Sequence, residues 1–201
     1  MARPQSINDP TLLQRLGCVF REVGYDGASL ALLSKATGLQ RASLYHRFPG
    51  GKQQMADEVI GAALAWFEAN VFAHLRGSEP PGERLGSVIA NLDSFYASGR
   101  QACLLNLMAA ASEAPGPFAP AIKTAFEALI AAFAGLARNA GHDVDIAQGR
   151  AERTVMLLHG SLVLSRGLGS SASFQTFLRT LDKELLGDLR VRPAQHGASG
   201  R

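Results

Sequence analysis

Residues 28–52 read ASLALLSKATGLQRASLYHRFPGGK and predict two short helices joined by a tight turn. Ser29 is a good N-cap for the first helix, because its hydroxyl accepts from a free amide of the first turn. An apolar face is formed by residues that recur at helical spacing, Leu30, Leu33 and Ala36. Gly38 follows, where a chain leaving a helix often takes a left-handed backbone conformation that glycine adopts without strain.

The second helix of this pair has an apolar back and a polar front. Leu39 and Leu44 are expected to fill the angle between the two helices. The residues expected to lie largely outside are Arg41, Ser43, Tyr45, His46 and Arg47. A short helix with such a front is typical of a helix-turn-helix, whose second helix enters the major groove of double-stranded DNA.

The same stretch resembles the tetracycline-repressor (TetR) family of bacterial transcriptional regulators. The shared pattern is Gly38-Leu39, then SLYHRF at residues 43–48, then Lys52. The FPGGK form at residues 48–52 is similar to one subgroup of that family. This resemblance implies an all-helical homodimer with small N-terminal DNA-binding domains and a larger ligand-binding body.

The resemblance also implies a mechanism of derepression. A ligand binds the body, the fourth helix swings as a lever, and the two recognition helices no longer match the half-site spacing. Repression is the expected direction of control, and activation stays open. The effector is expected to be small and largely apolar, and the operator palindromic.

Three positions depart from the family pattern. Gln40 stands where a Ser or Thr cap is usual, so the recognition helix has a weaker start. Ala42 replaces a common glycine, which favours helix. Leu32 occupies a position that is usually polar, and we expect it to be partly exposed.

Composition agrees with a globular DNA-binding protein. The chain has 201 residues, of which 47% are hydrophobic and 18% charged, with a formal net charge of +3. Residues 1–52 carry seven Lys/Arg against three Asp/Glu, whereas residues 53–186 carry ten against thirteen. The basic end therefore coincides with the helix-turn-helix, as contact with a phosphate backbone requires.

The sequence also predicts the compartment. It has no signal segment, and its longest apolar stretch, residues 155–164, is much shorter than the ~20 residues of a membrane span. Two cysteines provide no disulfide framework and suit a reducing cytoplasm. We therefore expect a cytoplasmic protein without a membrane segment.

The periodicity predicts an all-α protein of about nine helices. Its expected parts are a DNA-binding domain at residues 1–52, with the helix-turn-helix at about 29–48, an effector-binding and dimerisation domain at 53–187, and a disordered tail at 188–201. Within the second domain, a helix is expected over about Gln101 to Glu113. Another is expected over about Asp145 to Arg166, followed by one over about Ser173 to Leu186.

Residue chemistry assigns candidate roles at the DNA interface. Arg41 is suited to two hydrogen bonds with a guanine edge, and Gln40 to adenine or a phosphate. Ser43 suits a base edge or a phosphate, and His46 the groove or the backbone. Ser29, together with the amides of the first helix of the helix-turn-helix, suits a phosphate.

Two further roles come from the resemblance alone. It implies that Tyr45, whose ring also packs on the helix pair, contacts a phosphate. It implies the same for Lys52 at the start of the fourth helix. For each of the seven candidates the alternative is an ordinary surface residue.

The end of the chain predicts a dimer interface. Residues 155–164 form a helix that is apolar nearly all round, so it must be covered on more than one side. Together with the last helix, it is expected to pair with its copy as a four-helix bundle over about 145–186. Gly160, Ser161 and Gly167 would allow close approach. The alternative is that this helix is the core of a monomer.

The body is expected to hold an effector pocket. The candidate lining residues are aromatic or soft side chains, with one histidine: Trp66, Phe67, Phe95, Tyr96, Met108, Phe126, Phe133, Met156 and His159. A largely apolar pocket with few polar groups is usual for a small-molecule site. Core packing is the alternative for each of them.

Other functions have weaker support. No catalytic residues, metal site or cofactor are predicted, since the sequence has no Gly-x-Ser-x-Gly, His-Glu-x-x-His, Cys-x-x-Cys or phosphate-binding glycine loop. The run HDVD at residues 142–145 is expected to cap a helix rather than hold a metal. One alternative is a thiol sensor at Cys103, with Arg100 one helical turn away to favour the thiolate. Another is a DNA-binding accessory protein without effector sensing.

Overall fold

A computed structural model describes residues 9–109 and 116–187, and every regular element within these ranges is helical. The predicted disordered tail at 188–201 and the predicted end of the helix over 101–113 lie outside the described residues. The all-α class is confirmed.

Nine helices are present in the described ranges when one long helix with an inserted π-helical turn is counted once. The N-terminal ones are α1 (Asp9–Gly27), α2 (Leu30–Thr37) and α3 (Arg41–Arg47). The long helix α4 comprises Gly51–Phe67, the π-helical turn Glu68–Phe72 and Ala73–Leu75. The body continues with α5 (Pro81–Phe95), α6 (Leu104–Met108), α7 (Ala119–Asn139), α8 (Val144–Leu168) and α9 (Ala172–Leu186).

The first apolar cluster holds the N-terminal helices together. Leu16 and Phe20 of α1, Leu33 of α2, Leu44 of α3 and Phe48 have no exposed surface. The cluster continues past residue 52, because α4 supplies apolar side chains from its first two turns. It also takes in residues of α6 and α7, so α1 packs on the body as well as on the helix-turn-helix.

The second apolar cluster is the core of the body. Its centre is formed by Phe133 of α7, Leu158 of α8 and Leu181 of α9, all completely buried. Both α7 and α9 pack extensively on α8. The long helix α8 is therefore the central element of the body.

The structure divides α8 into two faces. Leu158 and Leu162 point into the body core, whereas Met156, Val163 and Leu164 are each more than half exposed. Within residues 9–109 and 116–187, no side chain covers this apolar outer face. This agrees with the expectation that a helix apolar nearly all round needs cover on more than one side.

The helix predicted over 101–113 begins later than expected. Its first residue is Leu104, and Cys103 before it has an extended backbone. Residues 97 and 98 have positive φ values of 48° and 58°, so the chain turns sharply after α5. The three residues after Arg100 complete that turn instead of forming helix.

One helix in the described ranges, α7, is long and apolar enough to cross a membrane by length and composition. Its buried residues Leu129, Phe133 and Leu136 belong to the body core.

Candidate nucleic-acid interface

The helix-turn-helix is built as the sequence predicts. The Oγ of Ser29 accepts from the backbone amide of Leu32 at 3.3 Å, which caps α2. Gly38 ends α2 with φ +73°. Leu32 is 42% exposed, as expected from its departure from the family pattern.

The front of α3 presents a row of polar side chains to solvent. Arg41, Ser43, Tyr45 and His46 are exposed, while Leu44 on the opposite side is completely buried. Gln40 occupies the N-cap position and makes no capping hydrogen bond with its side chain. The recognition helix therefore lacks a side-chain cap, and the Gln40 amide remains available to another partner.

Arg47 does not belong to this exposed front, contrary to the sequence-based expectation. Its guanidinium donates to Glu58 of α4 at 3.0 and 3.3 Å and to Asp9 of α1 at 3.2 Å. It also lies over the Phe48 ring, 4.7 Å from the centroid. These carboxylates raise the pKa of Arg47. Arg47 thus joins α3 to α1 and α4 and fixes the orientation of the recognition helix.

The two residues whose roles the resemblance implied lie next to the helix pair. Lys52 is half-buried, with its Nζ 3.0 Å from the backbone oxygen of Tyr25 and 4.3 Å from the centre of that ring. Tyr45 is 46% exposed, and its ring lies beside Gly51, which has φ +65°. Lys52 therefore has an internal partner, and the role of each in DNA binding stays a prediction.

Five of the nine pocket candidates surround one cavity in the body. These are Phe67, Phe95, Tyr96, Phe126 and His159, joined by apolar side chains of α4, α6 and α7 and by Cys103. The cavity holds about 30 Å³, which is close to the space of one water molecule. A ligand of ordinary size must therefore enlarge it.

The other four candidates lie elsewhere. Met156 lies on the outer face of α8 and is 66% exposed, whereas Val155 just before it is buried. Phe133 belongs to the body core, and Met108 to the cluster beneath α1. Trp66 packs behind the cavity against Phe95, with ring centroids 4.3 Å apart.

His159 is the polar group of this cavity. Neither ring nitrogen has a hydrogen-bond partner, and both are buried. The ring meets Phe126 edge-on with centroids 4.9 Å apart. Burial lowers the pKa of His159 to about 4, so the imidazole is neutral at physiological pH. It can donate one hydrogen bond and accept another from a ligand.

The cavity touches the helix that reaches the DNA-binding end. Phe67 and Phe72 of α4 line it and bracket the π-helical turn. The side-chain amide of Asn70, within that turn, donates to the backbone oxygen of Trp66 at 2.9 Å. The backbone oxygen of Asn70 accepts from the side-chain amide of Asn91 in α5 at 2.7 Å. π-Helical turns often occur at functional sites. This one lies where a ligand in the cavity would press on α4.

The structure opposes the thiol-sensor alternative at Cys103, and it gives Asp143 of the HDVD run the N-cap position of α8. Cys103 is buried, and burial raises the pKa of its thiol, which is the reverse of what a reactive cysteine needs. Arg100 is exposed and no helix connects it to Cys103. In the loop at residues 142–145, Asp143 makes no side-chain capping bond, and His142 Nε2 instead lies 2.8 Å from the oxygen of Leu186. No cluster of potential metal ligands occurs in the described part of the chain.

Comparison with known families finds a match at the DNA-binding end of the chain. Residues 18–59 match the family model described as bacterial regulatory proteins, tetR family. The match runs from the second half of α1 through the helix-turn-helix into α4. Residues 18–59 are thus similar in sequence to the tetR family of bacterial regulatory proteins, and the described chain has the fold of solved TetR-family regulators.

Individual relatives are distant in sequence. The chain is 27% identical over 78 residues to the HTH-type transcriptional regulator LmrA of Bacillus subtilis. That match spans 39% of this chain and 42% of the length of LmrA. The match therefore covers less than half of either chain.

Solved structures extend the likeness to the body. A TetR transcriptional regulator from Legionella pneumophila is 20% identical, with a TM-score of 0.76 over 91% of this chain and 100% of that one. A TetR-family regulator from Agrobacterium tumefaciens is 22% identical, with a TM-score of 0.72 over 88% of this chain and 96% of that one. A cysteine mutant of the TetR-family regulator CifR, complexed with double-strand operator DNA, is 23% identical. Its TM-score is 0.69 over 92% of this chain and 98% of that one.

Proposed function

We propose that the protein is a homodimeric repressor that binds a palindromic operator and leaves it when a small, largely apolar effector enters the body. The observation that carries this proposal is the exposed front of α3, because Arg41, Ser43, Tyr45 and His46 lie on a helix anchored by the buried Leu44. Gln40 and Ser29 are placed to add base or phosphate contacts at the same end.

The dimer is proposed from the outer face of α8. Met156, Gly160, Val163 and Leu164 recur at helical spacing, and a Cβ added at Gly160 would meet nothing. An apolar groove of about 510 Å³ between α8 and α9 continues this face. Ser161 lines this groove but is buried, and its Oγ donates to the backbone oxygen of Leu158 at 2.8 Å. Two-fold pairing of this face would present two recognition helices.

The effector is proposed to occupy the cavity around His159. Because the cavity is now about the size of a water molecule, binding favours an expanded arrangement of α4, α5 and α7. Displacement of α4 would change the spacing of the recognition helices, which must match half-sites ~34–36 Å apart. The coupling needed is typically ~1–3 kcal/mol. Repression and cytoplasmic location are part of this proposal, as is membership of the FPGGK subgroup.

Substitution within α8 tests two points together: whether this face forms the dimer, and whether operator binding requires the dimer. Leu164→Glu places a charge in the centre of the proposed interface and should give a monomer with strongly reduced operator affinity. Val144→Glu changes another exposed apolar residue of the same helix, away from that stripe, and should leave both unchanged. Sedimentation velocity and a gel-shift titration provide the two readouts. A dimer that survives Leu164→Glu contradicts the proposed interface.

A further inference from the structure

A second cavity lies where the DNA-binding end meets the body. It has a volume of about 520 Å³ and is walled by α1, the turn after α5, the end of α8 and the start of α9. We call it the arginine cleft, because it is lined by Arg21, Arg100 and Arg166. Glu22 is the single acidic residue in its lining. Its size falls within the usual range for small-molecule sites, about 300–1,000 Å³.

The arginines of the cleft form no ion pair with a carboxylate of the described residues, 9–109 and 116–187. Arg21 is half-buried, its Nε is buried without a hydrogen bond, and its Cζ lies 4.9 Å from the centre of the Phe95 ring. Burial lowers the pKa of Arg21. A partly desolvated cation of this kind is stabilised when an anion binds beside it.

The opposite wall adds donors for the same kind of ligand. Ser170 and Ser171 precede α9, and Ser171 makes no side-chain capping bond to it. The amides of Ala172 and Phe174 at the start of α9 already donate to Ser170 Oγ and Ser165 Oγ, both at 3.3 Å, so this wall offers serine hydroxyl groups as donors. Guanidinium groups bind carboxylate and phosphate oxygens in pairs of parallel hydrogen bonds. The three arginines and these hydroxyl groups therefore favour the same ligand chemistry.

We propose that the arginine cleft binds a small organic anion through its carboxylate or phosphate group, as a site separate from the apolar cavity around His159. Arg166 already crosses the cleft, with its Nη2 donating to the backbone oxygen of Glu22 at 2.9 Å. An anion bridging Arg21 and Arg166 joins α1 to α8 and so ties the DNA-binding end to the body. Its effect on operator affinity rests on the DNA-binding role proposed above, whereas binding itself does not.

Titration of the full-length chain in the absence of DNA tests the site directly. Citrate and pyrophosphate serve as carboxylate and phosphate probes at constant ionic strength. The readouts are thermal unfolding and the emission of Trp66, the single tryptophan, which packs on Phe95 next to Arg21. We expect saturable binding of at least one probe, and the probe that binds identifies the anionic group.

Two matched variants locate the binding. Arg100→Gln removes an exposed side chain that bonds to nothing in the described part of the chain, so folding should persist. It should weaken binding about tenfold or more, as expected for loss of a charged hydrogen-bonding partner. Arg138→Gln removes an exposed arginine of α7 and should leave binding unchanged. Failure of both probes to saturate, or equal affinities in the two variants, overturns the proposal. Neither result depends on operator binding, which is measured separately.

Discussion

On α3 the proposed DNA-contacting groups stand in solvent, whereas in the body the proposed ligand-contacting groups are enclosed. Arg41 and His46 are exposed and are positioned from behind by Leu44 and Arg47. His159 packs edge-on against Phe126, and its ring nitrogens have no hydrogen-bond partner among the described residues. The first region depends on side chains held outward by a rigid back. The second depends on an interior that must open.

The largest expected effect comes from removing the buried support of the recognition helix. Leu44→Ala should lower the free energy of unfolding by about 2–5 kcal/mol, because Leu44 has no exposed surface. The matched change Leu32→Ala affects a leucine that is 42% exposed and should cost much less. Urea denaturation of both variants measures the difference. Equal losses would show that α3 is not anchored through Leu44.

The next largest effect is a pH dependence of the free energy of unfolding, which we expect from the enclosed His159 and not from the exposed His46. Since the pKa of His159 is about 4 in the fold and about 6.5 when unfolded, the unfolded chain binds the extra proton between these values. Stability should therefore fall as pH is lowered through this window, by up to about 3 kcal/mol from this residue. His159→Leu should remove that part of the pH dependence, while His46→Leu, which removes an exposed imidazole, should keep it. A His159→Leu protein with the original pH profile contradicts the buried neutral histidine.

The exposed region is tested by loss of a single proposed base contact. Arg41→Ala should weaken operator binding by about 1–3 kcal/mol and relax specificity at one base pair, with thermal stability unchanged. Arg138→Ala makes the same change of charge on the body and serves as the control. Competition binding against operator variants provides the measurement. Uniform weakening on every sequence would instead assign Arg41 to the phosphate backbone.

The smallest expected effect concerns Lys52, which lies between the two kinds of environment. If it reaches a phosphate, Lys52→Ala should weaken binding to all sequences and reduce the salt slope by about one ion. If it serves only to hold Tyr25, through the 3.0 Å bond to that residue's backbone oxygen, stability should fall and the slope should remain. Salt titrations and melting curves of the same variant decide between these roles. Lys123→Ala, on an exposed surface of the body, is the control.

The two regions also differ in how far the sequence predicts them. Local features define the helix-turn-helix, because the Ser29 cap, Gly38 and the spacing of Leu33 and Leu44 act within a few residues. The sequence wrongly predicts Arg47 on the exposed front of α3, because its partners Asp9 and Glu58 lie on other helices. No local pattern identifies such partners.

In the body, side-chain direction decides what the sequence cannot show. Met156 and His159 lie one turn apart on α8, yet the first points to solvent and the second into the cavity. Arg21 gave no signal in the sequence either, because its position beside Phe95 depends on how α1 packs on the body. Hydrophobic periodicity predicted the buried faces of α7 and α9, and residue type predicted five of the side chains that line the cavity.

Selection of double-stranded DNA from a random pool by the full-length protein tests the central claim most directly. Two α3 surfaces related by a two-fold axis should enrich an inverted repeat, with half-sites ~34–36 Å apart and two chains bound per duplex. Enrichment of no sequence at all, or of a single half-site occupied by one chain, would contradict a paired recognition surface.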